Sequence, residues 1–364
     1  MSYPDHGPRR RYQARYLRAL LVALAALPFA LTAPANAEAS TLHPLRQLVA
    51  NLNDSPQTSL PPSSAFTVYV GAGNPPGLAS VASFLHIDPK YASDYLASNT
   101  WADFDDDEWA LNAWKGSGYR MIWAVPMLAS SGGYTLATGA TGAYDGYYAT
   151  LGKNLVAAGQ GNSIIRLGWE FNVRTSPWFA AGKASAFDQY WRDIVSTMRS
   201  VPGAGFRFEW NVGMGDNGPG DAAMGNYQNY YPGNGYVDII GMDVYDEGWF
   251  AYPGPTAEFQ SILTRRWGLD WLATFAAQQA KPIAFPELGL GWGTSAPNSG
   301  IVTNAAGPTY GGDDPTFIND MATWIAKHDV VNATYFDVGT SSVANGENPQ
   351  TALALRRDFG VSDL

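Results

Sequence analysis

Glu170 closes the run SIIRLGWE and Glu287 closes PIAFPE, 117 residues apart in the chain. Two carboxyl groups brought face to face suit cleavage of a glycosidic bond. One, kept protonated, donates to the leaving oxygen, and the other, ionised, attacks the anomeric carbon. Spacing alone equally allows two ordinary strand-end carboxylates in salt bridges. Arg166 lies four residues before Glu170 and shares its strand parity. A buried arginine needs a carboxylate partner, and Glu287 or Asp243 could supply it, in a catalytic or a purely structural pair. In VDIIGMDVYD, Asp243 and Tyr245 fall on the same face as Ile239 and Gly241. A tyrosine hydroxyl there could hold a nucleophilic carboxylate or simply cap a core.

The elements that must position these groups are short apolar runs alternating with helical patterns. Strands are expected at 66–71, 119–125, 163–170, 206–211, 237–245, 282–287 and 331–336, with an eighth near Leu96 to Trp101. Helices are expected over 105–114, 144–158, 184–200, 256–279 and 315–328. Apolar strands separated by helices predict a parallel sheet covered by helices. About eight units in roughly 300 residues predict one (β/α)8 TIM barrel over 65–364, with a doubly wound sheet as the competing architecture. Polar and aromatic groups gather at the strand ends, which in a barrel meet on one face. Trp123, Trp169, Trp178, Trp210, Trp249, Trp292 and Tyr335 are therefore candidates to line a sugar cleft. Asn172 and Asn211 join them as substrate-binding candidates.

Other patterns carry less. VGAGNPPG (70–77) has the wrong glycine spacing for a dinucleotide loop, and Pro75-Pro76 disfavours a helix opening there. DFDDDE (103–108) lacks the central glycine of a calcium loop and reads as a helix start. His43, His86 and His328 stand apart from any metal-type cluster, so no zinc or other metal site and no Ser-His-Asp site is expected.

The N-terminus reads as an export signal: arginines 9, 10, 11, 15 and 18, an apolar run over 19–31, and Ala35-Asn36-Ala37 before the cleavage point. Residues 1–37 would be removed, by a Sec or twin-arginine route. Residues 38–64 would form a Ser/Pro-rich arm. Removing five arginines and Asp5 takes 22 basic and 32 acidic residues to 17 and 31, and the net charge from −10 to −14. That charge disfavours nucleic acid and anionic lipid as partners. An extracellular monomer acting on a polysaccharide or oligosaccharide, with no membrane contact after cleavage, is expected. Aromatic residues at 13% with only 15% charged fit either an aromatic-lined cleft or a large core. With no cysteine, the core must hold the fold by itself.

Three segments resemble glycoside hydrolase family 26, the β-mannanase family: RLGWEFN followed by WFAAG (178–182), YYPGNGYVDIIGMDVYD (230–246) and KPIAFPELG (281–289). DQYWRDIVSTMR (188–199) fits the intervening helix, and the likeness runs from about Ala65 to Phe359. The resemblance implies a retaining (β/α)8 barrel without cofactor, with Glu170 as acid/base and Glu287 as nucleophile. Tyr245 would touch the nucleophile and Asp243 would support it. Trp169 stands where the family usually has histidine, and Trp123 to Met127 also lacks one. β-Mannan is the first substrate expected. β-1,3-xylan, mixed-linkage glucan and envelope or exopolysaccharides are the alternatives, and a non-catalytic glycan-binding barrel is the alternative outside the enzyme class. Retaining chemistry predicts carboxyl groups about 5–5.5 Å apart.

Overall fold

The computed structural model describes residues 65–361, apart from 98, 106, 216–222, 247–251, 292–300, 305–306 and 311. The expected signal and arm, over 1–64, lie outside the described residues, as do Trp249 and Trp292.

Eight parallel strands form a nearly closed barrel: β1 (Phe66–Tyr69), β2 (Tyr91–Tyr95), β3 (Arg120–Val125), β4 (Ile164–Leu167), β5 (Arg207–Gly213), β6 (Ile239–Asp246), β7 (Ile283–Leu290) and β10 (Val330–Phe336). The spatial order is β1-β10-β7-β6-β5-β4-β3-β2. Across the remaining seam, the Thr67 hydroxyl donates to the Tyr91 carbonyl at 2.7 Å. Strands β8 (Ile301–Asn304) and β9 (Gly307–Tyr310) form a separate antiparallel hairpin.

The described helices are α1 (Pro75–Leu85), α2 (Trp101–Asp105), α3 (Glu108–Trp114), α4 (Leu136–Gly139), α5 (Asp145–Ala157), α6 (Ala184–Arg199), α7 (Pro255–Thr264), α8 (Leu269–Gln279), α9 (Pro315–Ile325) and α10 (Pro349–Phe359). Helix α6 shows how the sequence dictates the packing. Phe187, Tyr190, Trp191, Ile194, Val195 and Met198 recur at three- and four-residue steps and are all buried, giving one apolar stripe. Each contributes on the order of 2 kcal/mol by burial.

Several expectations need correction. Strand β2 ends at Tyr95, where the sequence pattern places a strand only after Leu96. YASDY has no apolar run because its interior positions carry Tyr91, Ser93 and Tyr95. Pro75-Pro76 do open a helix: they fill the first positions of α1, where no N–H bond is lost. Asn74 caps it by accepting from the Gly77 N–H at 3.1 Å. The Gly73 N–H of that loop donates to Asp94 at 2.7 Å. The acidic run divides between α2 and α3 instead of starting one helix. The long helix expected over 256–279 breaks into α7 and α8 at Gly268, whose missing Cβ leaves room for carbonyl oxygens of α7.

Inside the barrel, Ile122, Ile164, Ile239 and Ala284 form a small apolar layer. The polar groups of the strand ends lie above it.

Candidate active site

Alternation carries Arg166 of β4 inward, two residues after the interior Ile164, and it is fully buried. Its guanidinium joins four strands. Nη2 donates to Asp243 of β6, and Nη1 donates to Glu287 of β7 at 2.8 Å and to the Tyr95 hydroxyl of β2 at 3.0 Å. Nε and Nη2 donate to the Asn211 side-chain oxygen of β5 at 3.2 and 3.0 Å. Both carboxylates proposed as its partner are thus engaged at once. The Asn211 amide in turn donates to Asp243 at 3.1 Å.

Glu287 reaches this cluster through a break in strand periodicity. Ala284 points inward, so regular alternation would turn residue 287 toward the helices. Between Ala284 and Leu288, however, β7 carries one residue more than β6, and a register shift recurs against β10. This bulge, which includes Pro286, reverses the parity so that Glu287 faces the cluster. Three donors then converge on its carboxylate. Tyr95 and Arg166 donate to Oε1, and Tyr245 donates to Oε2 at 2.7 Å.

Glu170 is placed by a different irregularity. Strand β4 ends at Leu167, and Gly168 and Glu170 both adopt left-handed backbone, with φ of 53° and 49°. Glycine is required at 168 twice over, because a Cβ there would come within 2.5 Å of the Met127 side chain. The non-glycine Glu170 in this conformation is a strained position of the sort found at functional sites. Asn172 anchors the turn: its amide donates to the Gly213 carbonyl and its oxygen accepts the Gly213 N–H, both at 2.9 Å. The Glu170 carboxyl comes so close to β5 that a Cβ on Gly213 would lie 2.9 Å from its Oε1.

The electrostatics separate the two glutamates. Burial, then the nearby Glu287 charge, pushes the Glu170 carboxyl up to about 7, against the pull of Arg166 and a hydrogen bond with Asp243. Burial also drives Asp243 up, opposed by Arg166 and reinforced by Glu287 and Glu170. Three carboxyl groups share one guanidinium here, so the cluster retains a proton near neutral pH. Glu170 still touches solvent at the cleft, while packed walls on its other sides supply the desolvation.

The aromatic candidates divide. Gly168 and Glu170 break the alternation on either side of Trp169, which packs edge-on against Tyr95 with ring centroids 5.4 Å apart. It also lies 5.9 Å from the Arg166 guanidinium. It belongs to an aromatic wall with Tyr69, Tyr95 and Phe336. Trp178 lies beneath it, donating its indole N–H to the Trp169 carbonyl at 2.7 Å, so it supports the wall instead of lining the cleft. Trp123, Trp210 and Tyr335 are core residues, each fully buried. They bond Gln160, the Tyr230 carbonyl and the Ser341 carbonyl respectively, because their strand parity faces the helices. Asn172 and Asn211 are buried and committed to protein partners, so they position the site and do not bind sugar. Tyr95 was not anticipated. The signal available was a tyrosine two residues from the polar interior Ser93, in a strand too polar to stand out.

Residues 163–265 match the family model described as Glycosyl hydrolase family 26. Over that segment, less than a third of the chain, the sequence is similar to glycoside hydrolase family 26. The matched segment holds Arg166, Glu170, Asn211, Asp243 and Tyr245. The catalytic domain of the family 26 endo-β-1,4-mannanase from Bacillus sp. JAMB-750 has a similar fold, with a TM-score of 0.54 at 14% identity. That match covers 81% of this chain and 83% of the other. A family 26 β-mannanase from Bacteroides ovatus gives a TM-score of 0.50 at 13% identity, covering 87% of this chain and 91% of that one. An engineered protein gives 0.53 at 15% identity, with 82% and 68% covered. Comparison with curated proteins yields no match. At these identities the solved structures speak for the barrel alone, and the match over 163–265 supports a glycoside hydrolase.

Proposed function

We propose that this protein is a family 26 glycoside hydrolase, an exported, retaining endo-acting β-glycosidase with β-mannan as its first expected substrate. The observation that carries the reading is the contrast between its two glutamates. Glu287 is wrapped by Arg166, Tyr95 and Tyr245, which orient its carboxylate for attack. Glu170 sits where burial and the nearby Glu287 charge keep a proton on it up to about pH 7.

In the first step, a Glu287 oxygen bonds to the anomeric carbon as the glycosidic bond breaks. Its electron pair leaves with the departing oxygen, which takes the proton of Glu170. In the second, the Glu170 carboxylate removes a proton from water. That water bonds to the anomeric carbon, releasing Glu287 and restoring the starting charges. Two net inversions give a product of retained configuration. The two mannanases of similar fold favour a mannan, whereas Trp169 in place of the family's usual histidine favours a different glycan. β-1,3-Xylan, mixed-linkage glucan and envelope polysaccharides are therefore the second reading.

The test is incubation of purified protein with this panel of polysaccharides, with the first-formed anomer followed by NMR. Internal cleavage of one polymer with initial β-anomer is expected, and initial α-anomer would overturn the retaining mechanism. If nothing is cleaved but one glycan binds, the protein is a binding barrel. The N-terminus of the exported protein is expected at Glu38.

A further inference from the structure

Four non-glycine residues hold left-handed backbone among the described residues: His86, Glu170, Trp267 and Ala280. His86 and Ala280 cap the ends of α1 and α8, where this conformation is ordinary. Trp267, with φ of 58°, lies in the corner between α7 and α8, and the neighbouring Gly268 has an unstrained φ of −84°. A bulky residue keeps this conformation only where its surroundings fix it. Here they fix the indole. It is buried and stacks on the Tyr227 ring, with centroids 4.1 Å apart and an interplanar angle of 10°. The Arg266 guanidinium lies over the indole at 3.6 Å. Arg266 also donates to the Gly225 carbonyl at 2.8 Å, two residues before Tyr227.

The stacked pair stands behind the turn that carries Glu170. The Asn172 amide donates to the Tyr227 hydroxyl at 2.8 Å as well as to the Gly213 carbonyl at 2.9 Å. The segment leaving β5 is held at both ends. Gly213 exchanges two bonds with Asn172, and the Gly215 N–H donates to the Trp267 carbonyl at 3.3 Å. Two routes therefore run from Trp267 to Asn172, one through the Tyr227 ring and one through residues 213–215. Gly213 is also the wall against which the Glu170 carboxyl lies. The two strained residues, Glu170 and Trp267, are thus linked by a continuous set of contacts.

We propose that Trp267 is a positioning residue for Glu170, acting on Asn172 through Tyr227 and residues 213–215. This role rests on Glu170 being the acid/base of the proposed function. Proton transfer to a leaving oxygen tolerates little displacement of the acid. Loosening the pair should therefore slow the step that needs the proton and spare one that does not.

Phenyl and 2,4-dinitrophenyl β-glycosides of mannobiose separate the two cases, because dinitrophenolate departs without a proton and phenolate needs one. Trp267→Ala should lower kcat/KM on the phenyl glycoside about 10- to 100-fold and leave the dinitrophenyl glycoside unchanged. Tyr227→Phe keeps the stack, removes only the hydroxyl, and should give the same pattern at about fivefold, the worth of one hydrogen bond. Trp267→Phe, which keeps a stacking ring, should restore most of the rate. A second readout needs no glycan: the Glu170 carboxyl is followed by 13C NMR, assigned by its loss in Glu170→Gln. Its titration, near pH 7 in the unsubstituted chain, should move down toward the ordinary carboxylate range in Trp267→Ala and Tyr227→Phe, as the loosened turn admits water. Equal losses on both glycosides, or a titration unmoved in both variants, would overturn the role. If Glu170→Gln itself treats the two glycosides alike, or neither is cleaved, the acid/base assignment is what fails, and the titration alone decides whether Trp267 positions Glu170.

Discussion

The ends of β7 and β4 present the same residue type in opposite surroundings. At β7, a bulge delivers Glu287 into three donors from β2, β4 and β6. At β4, a left-handed turn holds Glu170 beside Glu287 and Asp243, where burial outweighs the reach of Arg166. The difference teaches that the division of labour between two glutamates is made by their neighbours. Donors hold the carboxyl group of Glu287 in place, while burial and the nearby Glu287 charge keep a proton on Glu170.

The largest effect should come from removing the donor-wrapped partner. Glu287→Ala should lower hydrolysis by at least about four orders of magnitude, leaving glycan binding measurable by calorimetry. Glu170→Gln removes the proton donor and should cost about 10²- to 10⁴-fold. In the unsubstituted enzyme, activity should fall as pH rises through about 7, where Glu170 loses its proton. That alkaline limb should vanish from the pH–rate profile of Glu170→Gln. Residual hydrolysis with an unchanged limb would assign the limb to another group.

A smaller loss is expected from Tyr95→Phe, which removes one donor from Glu287 and one acceptor from Arg166. About tenfold in kcat at unchanged KM would reflect one hydrogen bond of roughly 1–1.5 kcal/mol. The smallest effect on turnover should be that of Glu209→Gln. Glu209 is a third glutamate, fully buried on β5 one layer below, and neither oxygen has a hydrogen-bond partner among the described residues. Burial pushes its carboxyl up to about 7, opposed by Arg166 and Arg207. A raised value in the folded state means that its stability contribution is complete below the unfolded value, near 4.5, and is lost as pH climbs to about 7. Glu209→Gln should therefore raise Tm at pH 8, by a stability difference of about 3 kcal/mol, and leave it nearly unchanged at pH 4. Calorimetric scans at the two pH values check this.

Much of the barrel was legible because seven strands are short apolar runs between helical patterns. The same apolar continuity hid which side each residue faces. Trp123, Trp210 and Tyr335 stand near strand ends but have outward parity, so they pack under helices. Glu287 has outward parity by counting and faces inward only because of the bulge, a feature decided by pairing with β6 and β10. Asn211 and Asn172 read as sugar contacts from type and position, but their amides satisfy buried backbone and side-chain groups. Tyr95 escaped notice because β2 carries its polar residues inward, where no hydrophobic pattern marks a strand. Arg166 was the best-read residue: its need for a carboxylate was plain from burial, and only the number of its partners came from the three-dimensional arrangement.

The extra residue in β7 works as a parity switch. Up to Ala284 the strand obeys the numbering of a structural sheet, and from Glu287 onward it obeys the opposite one. A designer who deleted one residue there would regularise the pairing of β7 with β6 and turn Glu287 toward the helices. In this molecule the more ideal strand is the inactive one.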